Sequence, residues 1–179
     1  IISNMYQDVH YLASDKLKGR KTGTKGEKKA AKYIKRKFKK HSLTPKGNYD
    51  YYQKFQGKVN YHQTSELQKG FNVIGFCDNN KDNTIIIGAH YDHIGLGESG
   101  SLHDGERQIH NGADDNASGV SILLNLVDEL CENQLYNYLF IAFSGEEEGL
   151  LGSSYFAKNP TIDLNKVKFM LNFDMVGRL

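Results

Sequence analysis

The sequence predicts an α/β fold with a largely parallel sheet covered by helices, and three observations predict it. Four apolar segments, FNVIGFC (71–77), TIIIGAHYDH (84–93), YNYLFIAF (136–143) and VKFMLNFDM (167–175), have the length and the β-branched or aromatic content of buried strands. Helix-forming stretches separate the last three, and strand–helix–strand–helix–strand closes into a mainly parallel sheet with helices on its faces. Polar residues cluster just after the strands, at the carboxyl edge where such sheets gather functional groups.

Each element has a local reason. Residues 3–14 place Met5, Val9 and Leu12 on one helical face. A glycine-rich loop follows, and Thr24 with Glu27 forms a T-x-x-E capping box that starts the next helix. There Ala30, Ile34 and Phe38, with Ala31 beside them, make an apolar stripe among lysines and arginines. Residues 44–70 are tyrosine-rich and irregular, with short strands near 51–59. The polar stretch DNNKDN (78–83) favours a hairpin between strands 71–77 and 84–93. ASGVSILLNLVDELCEN (117–133) is apolar around much of its circumference, as a helix lying on a sheet must be, and LLGSSYFAKN marks a short helix near 149–158.

Composition bounds the rest. With 179 residues, 39% hydrophobic and 25% charged, the chain suits one globular domain over 1–179. No apolar run reaches the roughly 20 residues of a membrane span. Residues 1–50 carry 14 of the 23 Lys/Arg and 4 of the 21 acids. That basic excess sits on the outer face of an amphipathic helix without interleaved aromatics, the pattern of a solvated surface rather than of nucleic-acid binding. Cys77 and Cys131, without CxxC or Cys/His spacing, read as two free thiols.

Four clusters carry the chemistry: His90-Tyr91-Asp92-His93, Gly112-Ala113-Asp114-Asp115-Asn116, Glu146-Glu147-Glu148, and Asp174. Each has an innocent explanation: a structural histidine, an N-cap, a solvated acidic run, a stray strand-end aspartate. Together at one sheet edge, imidazole and carboxylates make a metal constellation suited to zinc, with manganese and cobalt as alternatives. Adjacent carboxylates repel, and a cation among Glu146, Glu147 and Glu148 would offset that repulsion. His90 and Asp92, two apart on a strand, share a face, so Asp92 can accept the ring N–H of a ligand histidine.

The motifs GAHYDH, NGADDNASG, GEEEGLLGS and LNFDMVG, in that order, resemble the M28 family of zinc peptidases, the co-catalytic dinuclear aminopeptidase type. The front segment YLASDKLKGRKTGTKGEKKAAKYIKRKF is similar to that family's N-terminal helix and GR…GT loop. The resemblance implies a three-layer α/β/α sandwich around a mostly parallel mixed sheet, of the zinc-exopeptidase kind. It implies two zinc ions, bridged by Asp115. His90 and Asp174 would be terminal ligands on one side and Glu147 a ligand on the other. Asp92 would orient His90, Glu146 would be the base that activates the attacking water, and Glu148 would be a solvated neighbour. It also implies a cis peptide at Asp115–Asn116. The second zinc would need a further histidine from beyond residue 179, since His93, His103 and His110 precede the bridge and His10, His41 and His62 lie in the front half. On that reading the C-terminal part is missing, and this stretch alone is inactive or poorly active.

The function so implied is metal-dependent release of N-terminal amino acids from peptides or small proteins. The alternatives are a glutaminyl cyclase-like zinc enzyme, a carboxypeptidase- or aminoacylase-like zinc enzyme, and a non-catalytic receptor-type relative. An extracytoplasmic location, periplasmic or secreted, is expected because many relatives are exported and the chain starts at Ile1, with the cytoplasm as the alternative. Neither the preferred side chain nor the oligomeric state is set by these residues.

Overall fold

The fold is that of a computed structural model, which describes residues 2–61, 64–97, 101–102 and 105–178. His62 and His103 lie outside the described residues. Helices are α1 (Ile2–Leu12), α2 (Lys25–Lys40), α3 (Gly119–Asn133) and α4 (Leu151–Lys158). Strands are β1 (Thr44–Pro45), β2 (Tyr52–Tyr61), β3 (Thr64–Cys77), β4 (Thr84–His90), β5 (Asn137–Phe143) and β6 (Val167–Asn172). They form one sheet in the order β1-β3-β5-β4-β6, with β2 paired to β3. β4 runs parallel to both β5 and β6, while β3 is antiparallel to β1, β2 and β5. The sheet is therefore mixed, and its parallel half, β5-β4-β6, carries the motif residues.

Three layers result because both sheet faces are apolar. Ile85, Ile87, Ala89, Tyr138, Phe140 and Ala142 point to the face covered by α1, α2 and α3. Ile74, Ile86, Leu139, Ile141 and Phe143 alternate to the other face, where Phe156 of α4 packs. All seven residues of β4 and of β5 are buried, as expected of strands covered on both sides. The stripe on α2 turns inward as its spacing predicts, with Ala30, Ala31, Ile34 and Phe38 buried. Edge strand β6 differs: Phe169, Met170 and Leu171 stay 48%, 42% and 47% exposed.

Three sequence expectations are corrected. Strands 71–77 and 84–93 do not form a hairpin, because β5 lies between them. The DNNKDN stretch instead caps the start of β5. Asn137 Oδ1 accepts from the N–H of Asn79 (2.9 Å) and Lys81 (3.1 Å), and Asn137 Nδ2 donates to Lys81 O (2.6 Å). The hairpin that does form joins β2 to β3, which starts at Thr64 and thus well before residue 71. Cys77 and Cys131 are not free thiols but a disulfide, since β3 ends against α3 with the two Cα atoms 6.0 Å apart, within reach of a bridge. The capping box is only half made. Thr24 Oγ1 accepts from Glu27 N (3.3 Å), but the Glu27 carboxylate accepts from Gly23 N (2.9 Å) and Phe71 N (3.1 Å) rather than from Thr24 N.

Phe140 is fully buried in the central strand and meets Phe38 at a ring separation of 6.4 Å. Phe140→Ala is expected to destabilise the protein by about 3–5 kcal/mol, read from the shift in a urea unfolding curve.

Candidate metal centre

The parallel half of the sheet brings the motif residues together. His90 is the last residue of β4, Glu146 and Glu147 follow the end of β5, and Asp174 follows the end of β6. Asp115 comes from an irregular helical turn, Ala113–Ser118, that leads into α3. The Asp115–Asn116 peptide is cis, as the resemblance implies. Asn116 is buried and fixes this turn to both neighbouring strand ends. Its Nδ2 donates to His90 O (3.2 Å) and Phe173 O (2.9 Å), while its Oδ1 accepts from Gly119 N (3.0 Å) and Met175 N (3.2 Å).

Two trios of ligand atoms meet at Asp115. His90 Nε2 lies 3.2 Å from Asp115 Oδ1 and 3.3 Å from Asp174 Oδ1. His93 Nδ1 lies 2.6 Å from Glu147 Oε1 and 3.8 Å from Asp115 Oδ2. Within each trio the three atoms lie within 4.8 Å of one another. Asp115 thus offers a different oxygen to each, the arrangement a bridging carboxylate needs. His93 is the residue that reading the sequence set aside. It precedes Asp115 in the chain but comes round to the Glu147 side, and the second His of HYDH was the available signal.

The trios fit divalent cations because each brings one imidazole nitrogen and two carboxylate oxygens within 4.8 Å of one another. His90 Nδ1 is buried without a hydrogen-bond partner, and its closest carboxylate oxygen, Asp92 Oδ1, is 3.6 Å away. Burial alone would lower the His90 imidazole, but the carboxylates of Asp115, Asp92 and Asp174 outweigh it and raise it to about 11. In return Asp115 is held below its usual range, first by its hydrogen bond to His90. A proton on His90 therefore occupies electrostatically the place a cation would take.

Asp92 is fully buried and holds the edge together. Its oxygens accept from Thr22 Oγ1 (3.0 Å), Glu146 N (3.2 Å) and Glu147 N (3.4 Å). Glu146 lines a cavity of about 160 Å³ with His90, Phe143, Leu150, Met170 and Asp174. Burial pushes the Glu146 carboxyl up, with Asp92, Glu147 and Asp174 adding to the rise and His90 opposing it. Glu148 is not the solvated neighbour expected: its side chain is 6% exposed and pairs with Lys21 Nζ at 3.6 Å. The turn after β5 folds it back over the Lys21 loop.

Arg20 is a further residue that the motifs contain but sequence reasoning left without a role. Its buried guanidinium donates to four carbonyls: Tyr91 (2.8 Å), Leu12 (2.6 Å), Asn111 (2.6 Å) and Gly112 (2.9 Å). It ties α1 to the two loops that carry Asp92 and Asp115. Gly112 has φ +57°, and a Cβ there would meet Asp115 O at 2.2 Å and Arg20 Nη2 at 2.7 Å. Only glycine permits both the backbone and that approach.

Residues 72–179 match the profile of Peptidase family M28. A protein named "Probable leucine aminopeptidase" from Trichophyton verrucosum is 36% identical over 116 residues, covering 61% of this chain and 29% of that protein. Among solved structures, a leucine aminopeptidase precursor from Bacteroides thetaiotaomicron superposes with TM-score 0.77 at 21% identity, covering 98% of this chain and 62% of that one. A glutaminyl cyclase from Porphyromonas gingivalis gives 0.78 at 19% identity, covering 98% and 61%. The two structures share the fold, and this chain spans less than two thirds of each.

The geometry predicts separable losses of metal. In the intact protein, elemental analysis after dialysis against zinc should find both equivalents lost in Asp115→Ala, and one lost in Asp174→Ala or in His93→Ala. A cation must displace the His90 proton, so zinc affinity should rise with pH. Competition with a chelator at pH 6 and pH 8 measures this.

Proposed function

The chain belongs to peptidase family M28, and from that premise we propose that the intact protein is a zinc aminopeptidase releasing N-terminal residues from peptides. The observation that carries the reading is the division of Asp115 between two trios, with Glu146 beside them in the cavity. His90, Asp115 and Asp174 would hold one zinc. Asp115 and Glu147 would hold the other, with His93 supplying an imidazole from this same chain. Bound there, zinc supplies a Lewis acid for the scissile carbonyl and lowers the pKa of water towards neutrality.

The chain's own groups do the proton chemistry. Glu146 takes a proton from the attacking water and passes it to the leaving amine. Its raised carboxyl keeps it a stronger base than an ordinary surface glutamate. Asp92 places its charge 3.6 Å behind His90 Nδ1 and, through two backbone N–H groups, fixes the turn that aims Glu146. The apolar wall of Phe143, Leu150 and Met170 suits the side chain of an apolar N-terminal residue. Glutaminyl cyclization is a second reading, favoured by the fold shared with the Porphyromonas gingivalis enzyme. The second trio, with its own histidine, supports the two-metal hydrolase instead. Within a family of exopeptidases, the Cys77–Cys131 disulfide supports an extracytoplasmic location.

Glu146→Gln should retain zinc and lose about 100-fold or more in kcat on a leucyl anilide. Unchanged turnover would refute the assignment. Since Glu146 must be ionised to accept a proton, kcat/KM should fall at acid pH as the Glu146 carboxyl is protonated. Leucyl anilide should be cleaved faster than glutamyl anilide. Conversion of an N-terminal glutamine to pyroglutamate without peptide cleavage would favour the cyclase.

A further inference from the structure

Glu27 is a fully buried carboxylate on the first turn of α2, with no cationic side chain paired to it among the described residues. Its Oε2 accepts from Gly23 N (2.9 Å). Its Oε1 accepts from Phe71 N (3.1 Å) and meets Ser144 Oγ at 2.7 Å and Tyr91 OH at 3.3 Å. Ser144 Oγ is in turn 3.4 Å from Thr22 Oγ1, which donates to Asp92 Oδ2 at 3.0 Å. Thr22, Ser144 and Asp92 are 2%, 0% and 0% exposed, so water does not compete for any link. The chain of contacts thus runs from the start of α2 to the carboxylate behind His90.

Proton counting gives this chain a direction. Asp92 has only acceptor oxygens, so the one hydroxyl proton of Thr22 goes to it. The Thr22–Ser144 contact is then filled only by the Ser144 proton, and the Ser144–Glu27 contact only by a proton on Glu27. If Glu27 is ionised, Ser144 donates to it and the Thr22–Ser144 contact carries no proton. In both cases the Thr22 proton goes to Asp92, and Ser144, seated on Glu27, packs against the Thr22 hydroxyl.

We propose that Thr22, Ser144 and Glu27 are positioning residues of the candidate centre: a buried brace that holds the Asp92 carboxylate, and through it the His90 ring and the Glu146–Glu147 turn. This rests on the aminopeptidase reading for its kinetic consequence, but its structural part does not. Without Thr22, Asp92 keeps, among the described residues, the Glu146 N–H on Oδ1 (3.2 Å) and the Glu147 N–H on Oδ2 (3.4 Å), and Oδ2 loses its shortest donor. The brace also gives the loop before α2 a task at the site, since Thr22 lies between the GR and GT residues of that loop.

The test uses the intact protein with Thr22→Val, which keeps shape and removes the donor, and Thr22→Ser, which restores it. Thr22→Val should weaken zinc binding and lower kcat by about 10- to 100-fold, with KM and the unfolding midpoint little changed, and Thr22→Ser should recover most of both. In metal-free protein, amide exchange over residues 144–149 should speed up in Thr22→Val and not in Thr22→Ser. Glu27→Gln should speed the same exchange if it folds. Exchange and zinc affinity unchanged in Thr22→Val would overturn the brace, as would a loss that serine does not repair. A wild-type protein that neither holds zinc nor cleaves the anilide would defeat the aminopeptidase reading, while the exchange measurement still decides the brace.

Discussion

Asp115 turns one carboxylate oxygen to His90 and the other to His93, and the candidate centre is arranged around that division. Carboxylates at this density repel unless positive charge lies among them. The carboxylates of Asp115, Asp92 and Asp174 raise the His90 imidazole to about 11 against the lowering effect of burial. The same electrostatics that favour a proton there favour a divalent ion more strongly.

The turn that carries Asp115 is fixed by side chains bound to backbone groups. Asn116 binds the ends of β4 and β6 and the start of α3, Arg20 binds the carbonyls of Tyr91 and Gly112, and Gly112 lets the chain pass beneath. These contacts form where parallel strands end, so the ladder β5-β4-β6 sets the spacing of His90, Glu146 and Asp174. The front segment is part of the same assembly. Arg20, Thr22 and Glu27 reach the site from the loop before α2 and from its first turn, although the sequence presents that region chiefly as a basic surface helix.

The layered α/β fold was legible because apolar runs and helical spacing are local properties, and the motif clusters were legible because each follows a strand. Strand order was not: periodicity says which residues are buried, not which strand pairs with which, so DNNKDN reads as a hairpin turn although it wraps the start of β5. His93 was set aside because its direction depends on how the chain bends after β4, not on its place in HYDH. Glu27 read as a capping residue, and only tertiary packing turns its carboxylate to Ser144. Cys77 and Cys131 meet for the same reason: the contact of β3 with α3 has no local signature.

The most direct test is a crystal structure of the intact protein grown with zinc, with anomalous scattering recorded at the zinc edge. The account predicts two peaks on opposite sides of the Asp115 carboxylate, one contacting His90 and Asp174 and the other Glu147. A map with no peak at Asp115, or with zinc bound only by residues away from it, would contradict the account.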